Sequence, residues 1–171
     1  MQKYEIDKYI KNPNFVDEKI KEYIEKKIIK KENENKREIK GHILKSEHNL
    51  RFVADNIKLN YIDWAIIGCY YASYHSALAL IMTKGYSSKN HLATLLLLIR
   101  EFYDKGLNSD DIEILGKLLD YQDILFYVES KNKREDATYL TKTNYTKKEV
   151  EQIRIKSTLF ISKAKDILKL T

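Results

Sequence analysis

The chain has 171 residues, 43% of them hydrophobic, with 31 basic against 25 acidic side chains and a formal net charge of +6. That length buries a full core in one domain, and the positive balance permits a polyanionic partner while equally describing a mixed, soluble surface. One cysteine, Cys69, excludes a disulfide framework and a zinc–thiolate cluster, and points to an intracellular, cytoplasmic protein.

Residues 1–13 have no apolar core and no signal-peptide pattern, and read as a poorly anchored lead-in. Asn14 then reads as a cap for a very charged helix whose thin apolar stripe is Phe15, Ile20, Ile24 and Ile28. Residues 30–40 are almost wholly polar, a linker or a solvated helix end. Residues 1–39 thus form a charged extension before a core bundle over 40–171. A second helix runs over about 40–59 on Ile43, Leu44, Leu50, Val53, Ala54 and Ile57. His48 and Arg51 share a face near its middle and read as surface residues.

Residues 61–83 are the centre of the chain. From 64 to 83 there is no Asp, Glu, Lys or Arg. The run is long enough for a membrane span, but its tyrosines, His75, its hydroxyl residues and Cys69 suit a buried helix better, so no membrane contact is expected. Asn60 reads as its cap and Gly85 as its stop. Ala65, Gly68, Ala72, Ser76, Ala79 and Thr83 make a stripe of small residues that lets another backbone approach. Trp64, Ile67, Tyr71, His75, Leu78 and Met82 make a stripe of large ones expected to fill the core.

A turn over 84–90 follows, with Ser87 or Ser88 capping a buried helix from His91 to about Tyr103 that Gly106 stops. Asn108 or Ser109 caps a further helix reaching about Ser130. Residues 131–146 are basic and polar. Thr146 and Glu149 form a capping box for a last helix. Scarce Gly and Pro and long periodic segments predict an all-α antiparallel bundle of about five to six helices around the central one. There is no internal repeat or domain boundary.

The four histidines have no HExxH spacing, and phosphate-cradling glycine motifs are absent, so no metal or cofactor is expected. The candidates for chemistry cluster near two turns. Lys89 and His91 open a helix, where free N–H groups welcome an anion, or serve only as a cap and a solvated side chain. Arg134, Asp136 and Tyr139 lie in the polar stretch. Tyr71 and His75 share a face of the central helix, as a stacking platform for a base or as core residues with satisfied polar tips.

These residues carry a resemblance. Trp64-Ala65 leading into Tyr70-Tyr71-Ala72-Ser73-Tyr74-His75-Ser76-Ala77-Leu78, then Lys84-Gly85-Tyr86, Lys89-Asn90-His91 and Arg134-Glu135-Asp136-Ala137-Thr138-Tyr139, resemble, in this order, the motifs of HEPN-domain proteins. The resemblance implies a helical bundle that often forms a homodimer and often pairs with a small nucleotidyltransferase in a toxin–antitoxin module. It also implies metal-independent cleavage of RNA by an Arg with a His roughly four to six residues downstream, which polarise a phosphate and assist attack of the ribose 2′-hydroxyl. Here Tyr139 stands in the histidine's place after Arg134, and a tyrosine titrates near 10, far from neutral. Arg37 and His42 have the family spacing in an earlier helix. The leading expectation is a module that binds RNA or a nucleotide through Lys89, His91, Arg134, Asp136, Tyr71 and His75. The alternatives are an endoribonuclease using Arg134 with Tyr139 or with a histidine from elsewhere, His91 or His42, and a purely structural partner subunit.

Overall fold

The computed structural model describes residues 3–118 and 145–170. Among the described residues the chain forms seven helices and one two-stranded ribbon: α1 (Lys3–Lys11), α2 (Pro13–Glu25), β1 (Ile29–Lys31), α3 (Lys36–Lys58), α4 (Ile62–Met82), β2 (Tyr86–Ser88), α5 (His91–Phe102), α6 (109–118) and α7 (Lys147–Leu168). The all-α bundle expected from the periodicity is the fold observed, with α3, α5 and α7 packed around α4.

The N-terminal stretch departs from expectation. It is helical from Lys3 and anchored by Ile6, which is buried with Val16 and Ile20. Pro13 opens α2 because its fixed φ and missing N–H suit the first helical position, and Asn12, not Asn14, accepts the Phe15 N–H at 3.2 Å. The polar stretch 30–40, expected as a linker or a solvated helix end, is divided: Lys30 and Lys31 belong to β1, and residues 36–40 open α3. β1 pairs antiparallel with β2: Ile29 faces Ser88, Lys30 faces Ser87 and Lys31 faces Tyr86. Gly85, at φ +73°, turns the chain into β2 and accepts the Glu32 N–H at 2.9 Å.

Asn35 caps α3 through the Glu38 N–H. Asn60 does not cap α4. It sits at φ +64° just past the end of α3, a conformation its short polar side chain tolerates, and Tyr61 leads into α4 without a side-chain cap bond. The small stripe of α4 lies against α3, as its residue sizes require. Gly68 has no room for a side chain: a Cβ there would stand 2.6 Å from Val53 Cγ2 and 3.0 Å from Phe52 Cδ1. One turn on, the Ser46 hydroxyl donates to the Ala72 carbonyl at 2.6 Å and bonds the Ser76 hydroxyl at 2.8 Å, so the polar atoms in this close contact satisfy one another. Burial pushes the Cys69 thiol up to about 12, which leaves it a packing residue rather than a nucleophile.

Asn90, not Ser87 or Ser88, caps α5 through the Ala93 N–H at 2.9 Å, and Leu95 to Leu98 are all buried. Asn108 caps α6, and its own N–H donates to Asp111. Asp111, 5% exposed, also takes an ion pair from Lys163 of α7 at 2.7 Å. Thr146 and Glu149 make the expected capping box at α7. Among the described residues one helix, α4, is long and apolar enough to cross a membrane, and 72% of its most apolar window is buried by the rest of the chain.

Candidate functional site

Of the large stripe of α4 only Met82 is buried in the core. Trp64 is 55% and Tyr71 41% exposed, and Ile67, Tyr74, His75 and Leu78 are half-buried beside them. The reason is geometric. Close approach to α3 needs the small stripe, and that turns the large side chains partly outward. The result is a strip of aromatic and imidazole rings along one side of the bundle.

Two histidines join this strip from other elements. Tyr70, itself buried, places its hydroxyl 2.8 Å from Nδ1 of His91, the first residue of α5. The Tyr70 ring stacks on Tyr74 at 5.6 Å and meets the edge of Tyr71 at 4.9 Å, and the His91 ring lies 4.8 Å from Tyr74. His91 is thus held in an aromatic cluster and is no cap. One turn along α4 from Tyr71, His75 leaves that cluster and faces His42 of α3, with their Nδ1 atoms 2.9 Å apart.

His42 also forms part of the wall of a cleft of about 460 Å³ between the β1–β2 ribbon and the α3–α4 pair. Ile28, Leu78 and Met82 supply its apolar side. Lys27, Lys30 and Lys89 stand round it with Glu32, Glu38 and the serines Ser87 and Ser88. Among the described residues these three lysines have no ion pair, and Nε2 of His42 has no hydrogen-bond partner. Three ammonium groups without an ion pair, against two carboxylates, leave the cleft positive and suit a phosphate-bearing ligand.

Electrostatics keep both imidazoles neutral at pH 7. Burial lowers His42, against the opposing pull of Glu38. Burial, with the nearby His42 and Lys45, holds His75 down at about 4. A neutral pair bonded through Nδ1 shares one proton between those atoms, and each ring keeps a distinct Nε2. His42 can therefore accept a proton from a ligand in the cleft.

The sequence-predicted residues divide between these features. Lys89 stands at the cleft. Tyr71 and His91 meet through Tyr70, and His75 leads to His42 instead. Arg134, Asp136 and Tyr139 lie outside the described residues. Arg37 is exposed near the start of α3, and His42 pairs with His75 rather than with Arg37. Lys27 and Lys30 carried no signal in the sequence, because they join the cleft only through the ribbon. Among the described residues no group of three or more His, Cys, Asp or Glu side chains could hold a metal ion.

Comparison with known proteins agrees with this architecture. Two proteins of Methanocaldococcus jannaschii are similar. One, named "Putative toxin MJ0142", is 27% identical over 133 residues, which is 78% of this chain and 83% of that protein. The other, named "Putative toxin MJ0605", is 30% identical over 105 residues, 61% of this chain and 69% of that protein. The HEPN domain matches residues 39–167, from the first buried residue of α3 nearly to the end of α7, and the chain belongs to the HEPN domain family.

Proposed function

We propose that this protein is a toxin-like HEPN module that binds RNA or a nucleotide on the outward face of α4 and at the ribbon cleft. The observation that carries this reading is the continuity of an exposed aromatic strip with three unpaired lysines. Bases stack on Tyr71, and phosphates lie against Lys89, Lys30 and Lys27. Single-strand binding combines the same two elements, an aromatic platform and a cationic track. Arg134, Asp136 and Tyr139, outside the described residues, stay candidate binding residues from the sequence alone.

The protein works in the cytoplasm as a homodimer, beside a small nucleotidyltransferase in a toxin–antitoxin or stress system. Support for protein partners comes from large apolar side chains left in solvent: Leu59, Tyr61 and Trp64 at the α3–α4 corner, and Ile155 and Leu159 on α7.

Fluorescence anisotropy with a short labelled single-stranded RNA tests the binding. Tyr71→Ala is expected to weaken it about 10-fold, the loss of one stacking platform. Lys89→Ala and Arg134→Ala are expected to weaken it and to lower its salt dependence by about one counterion each. An RNA that fails to bind at moderate salt, with tight binding to a nucleotidyltransferase, would instead identify a structural subunit.

A further inference from the structure

The seam between α3 and α7 belongs neither to the aromatic strip nor to the ribbon cleft. Two hollows lie along it. One, of about 840 Å³, has Ala54, Ile57 and Ile155 as its apolar lining. The other, of about 340 Å³, has Leu50 and Ile161. On α3 the lining runs from Glu47 to Lys58, about 16 Å or three turns at ~1.5 Å per residue. Ile155 is 49% exposed and Leu159, one turn on, 58%, so the seam leaves aliphatic surface in water that burial would stabilise.

Charge is uneven along the seam. At the smaller hollow Lys165 pairs with Glu47 at 2.7 Å, and Asp166 lines the same space. At the larger one four cations, Lys58, Lys147, Lys148 and Arg154, stand against one lining carboxylate, Glu151. Arg154 engages Glu151, and Lys58 meets Asp55 at 3.6 Å between two exposed side chains. Lys147 and Lys148 form no ion pair among the described residues. One end of an apolar groove is therefore positive and the other balanced.

This lining selects the class of occupant. Nucleic-acid bases stack on rings, and among the described residues no ring lines either hollow. An amphipathic helix brings aliphatic side chains to a groove between two helices at three- and four-residue steps, and carboxylates can meet the positive end. A second copy of this chain, with a formal net charge of +6 and the same lysines, matches that end less well than an acidic segment does.

We propose that the α3–α7 seam docks an acidic amphipathic helix of a different protein, with its apolar face on Ala54, Ile57 and Ile155 and its carboxylates at Lys147 and Lys148. The proposal rests on the reading of a protein partner above and deepens it, giving the face used and the chemistry recognised. The aromatic strip stays open, so RNA and the helix bind together.

The test uses the full chain and a fluorescein-labelled synthetic peptide of about four helical turns, with leucines along one face and glutamates on the other. Its controls carry lysines in place of the glutamates, or the same residues in scrambled order. At moderate salt the acidic peptide is expected to bind, the lysine peptide about 30-fold more weakly and the scrambled one about 10-fold more weakly. Lys148→Glu is expected to weaken binding about 10-fold, and it keeps the fold because an acid in the first turn of α7 suits the helix dipole. Ile155→Asp, at an exposed position, is expected to weaken it at least about 10-fold while RNA affinity stays within about 2-fold of wild type. Amide hydrogen exchange with the acidic peptide bound is expected to slow over 47–58 and 147–166. Equal binding of the acidic and lysine peptides, or an affinity that both variants leave unchanged, would overturn the proposal. Displacement of the peptide by unlabelled RNA would assign the seam to RNA, and a dimer lost in Ile155→Asp on sedimentation would assign it to a second copy; either result overturns it too. The reading of a protein partner fails separately, if a purified nucleotidyltransferase does not bind the full chain.

Discussion

At the scale of single residues, the two imidazoles make the fold sensitive to acid. In the folded chain burial holds His75 at about 4 and also lowers His42, against an ordinary value of 6.5. Between those values the unfolded chain binds more protons than the folded one, so stability is whole above about 6.5 and is lost as pH falls towards 4. Both rings are half exposed, and solvent screening reduces the effect to about 1–2 kcal/mol. The expected outcome is a melting temperature lower by about 3–6 °C at pH 5 than at pH 7.5. His75→Asn, neutral at every pH, should flatten that slope, and a slope identical to wild type would show that the pair is not the sensor. Gly68 offers a second test at this scale. A Cβ 2.6 Å from Val53 must displace a stiff β-branched side chain. Gly68→Ala should therefore destabilise by about 1–2 kcal/mol in urea unfolding, the overpacking outweighing alanine's better helix propensity.

At the scale of elements, the helices were legible because their signals are long. The capping box at Thr146, the charge-free run of α4 and the small stripe each extend over a turn or more. What the sequence could not show was orientation. The small and large stripes of α4 are each consistent with burial, and only the docking on α3 decides that Ala65, Gly68 and Ala72 go inward while Trp64 and Tyr71 stay half outside. The ribbon was not legible at all. Each strand has three residues, too few for an alternation to appear, and the pairing of 29–31 with 86–88 spans α3 and α4. The link between α6 and α7 gives a prediction at this scale. Asp111 is buried, accepts the Asn108 N–H and pairs with Lys163. Asp111→Ala should cost about 2–3 kcal/mol, loosening the contact between the two helices, while Thr146→Ala at the exposed cap should cost about 1 kcal/mol. Chemical denaturation of both variants checks the ranking.

At the scale of the whole molecule, the sequence named four of the described site residues but not their grouping. Tyr71 and His91 lie two steps apart in chain logic and meet only through the buried Tyr70. His75 belongs with His42, which the spacing from Arg37 had singled out for a different partner. The cleft brings lysines from the ribbon to an imidazole from α3, a juxtaposition that exists only once the fold is complete. The exposed apolar corner at Leu59, Tyr61 and Trp64 predicts self-association: sedimentation should show a dimer, and Trp64→Asp should shift it towards monomer without lowering the helix content.

The central claim is that RNA lies along the outward face of α4 and into the ribbon cleft. Photo-cross-linking of a 4-thiouridine-labelled single-stranded RNA to the intact protein, with the linked peptides sequenced, tests it most directly. The account predicts cross-links on Tyr71 and on the segments carrying His42, Lys30 and Lys89, lost together at high salt. Cross-links confined to other surfaces of the bundle would contradict it.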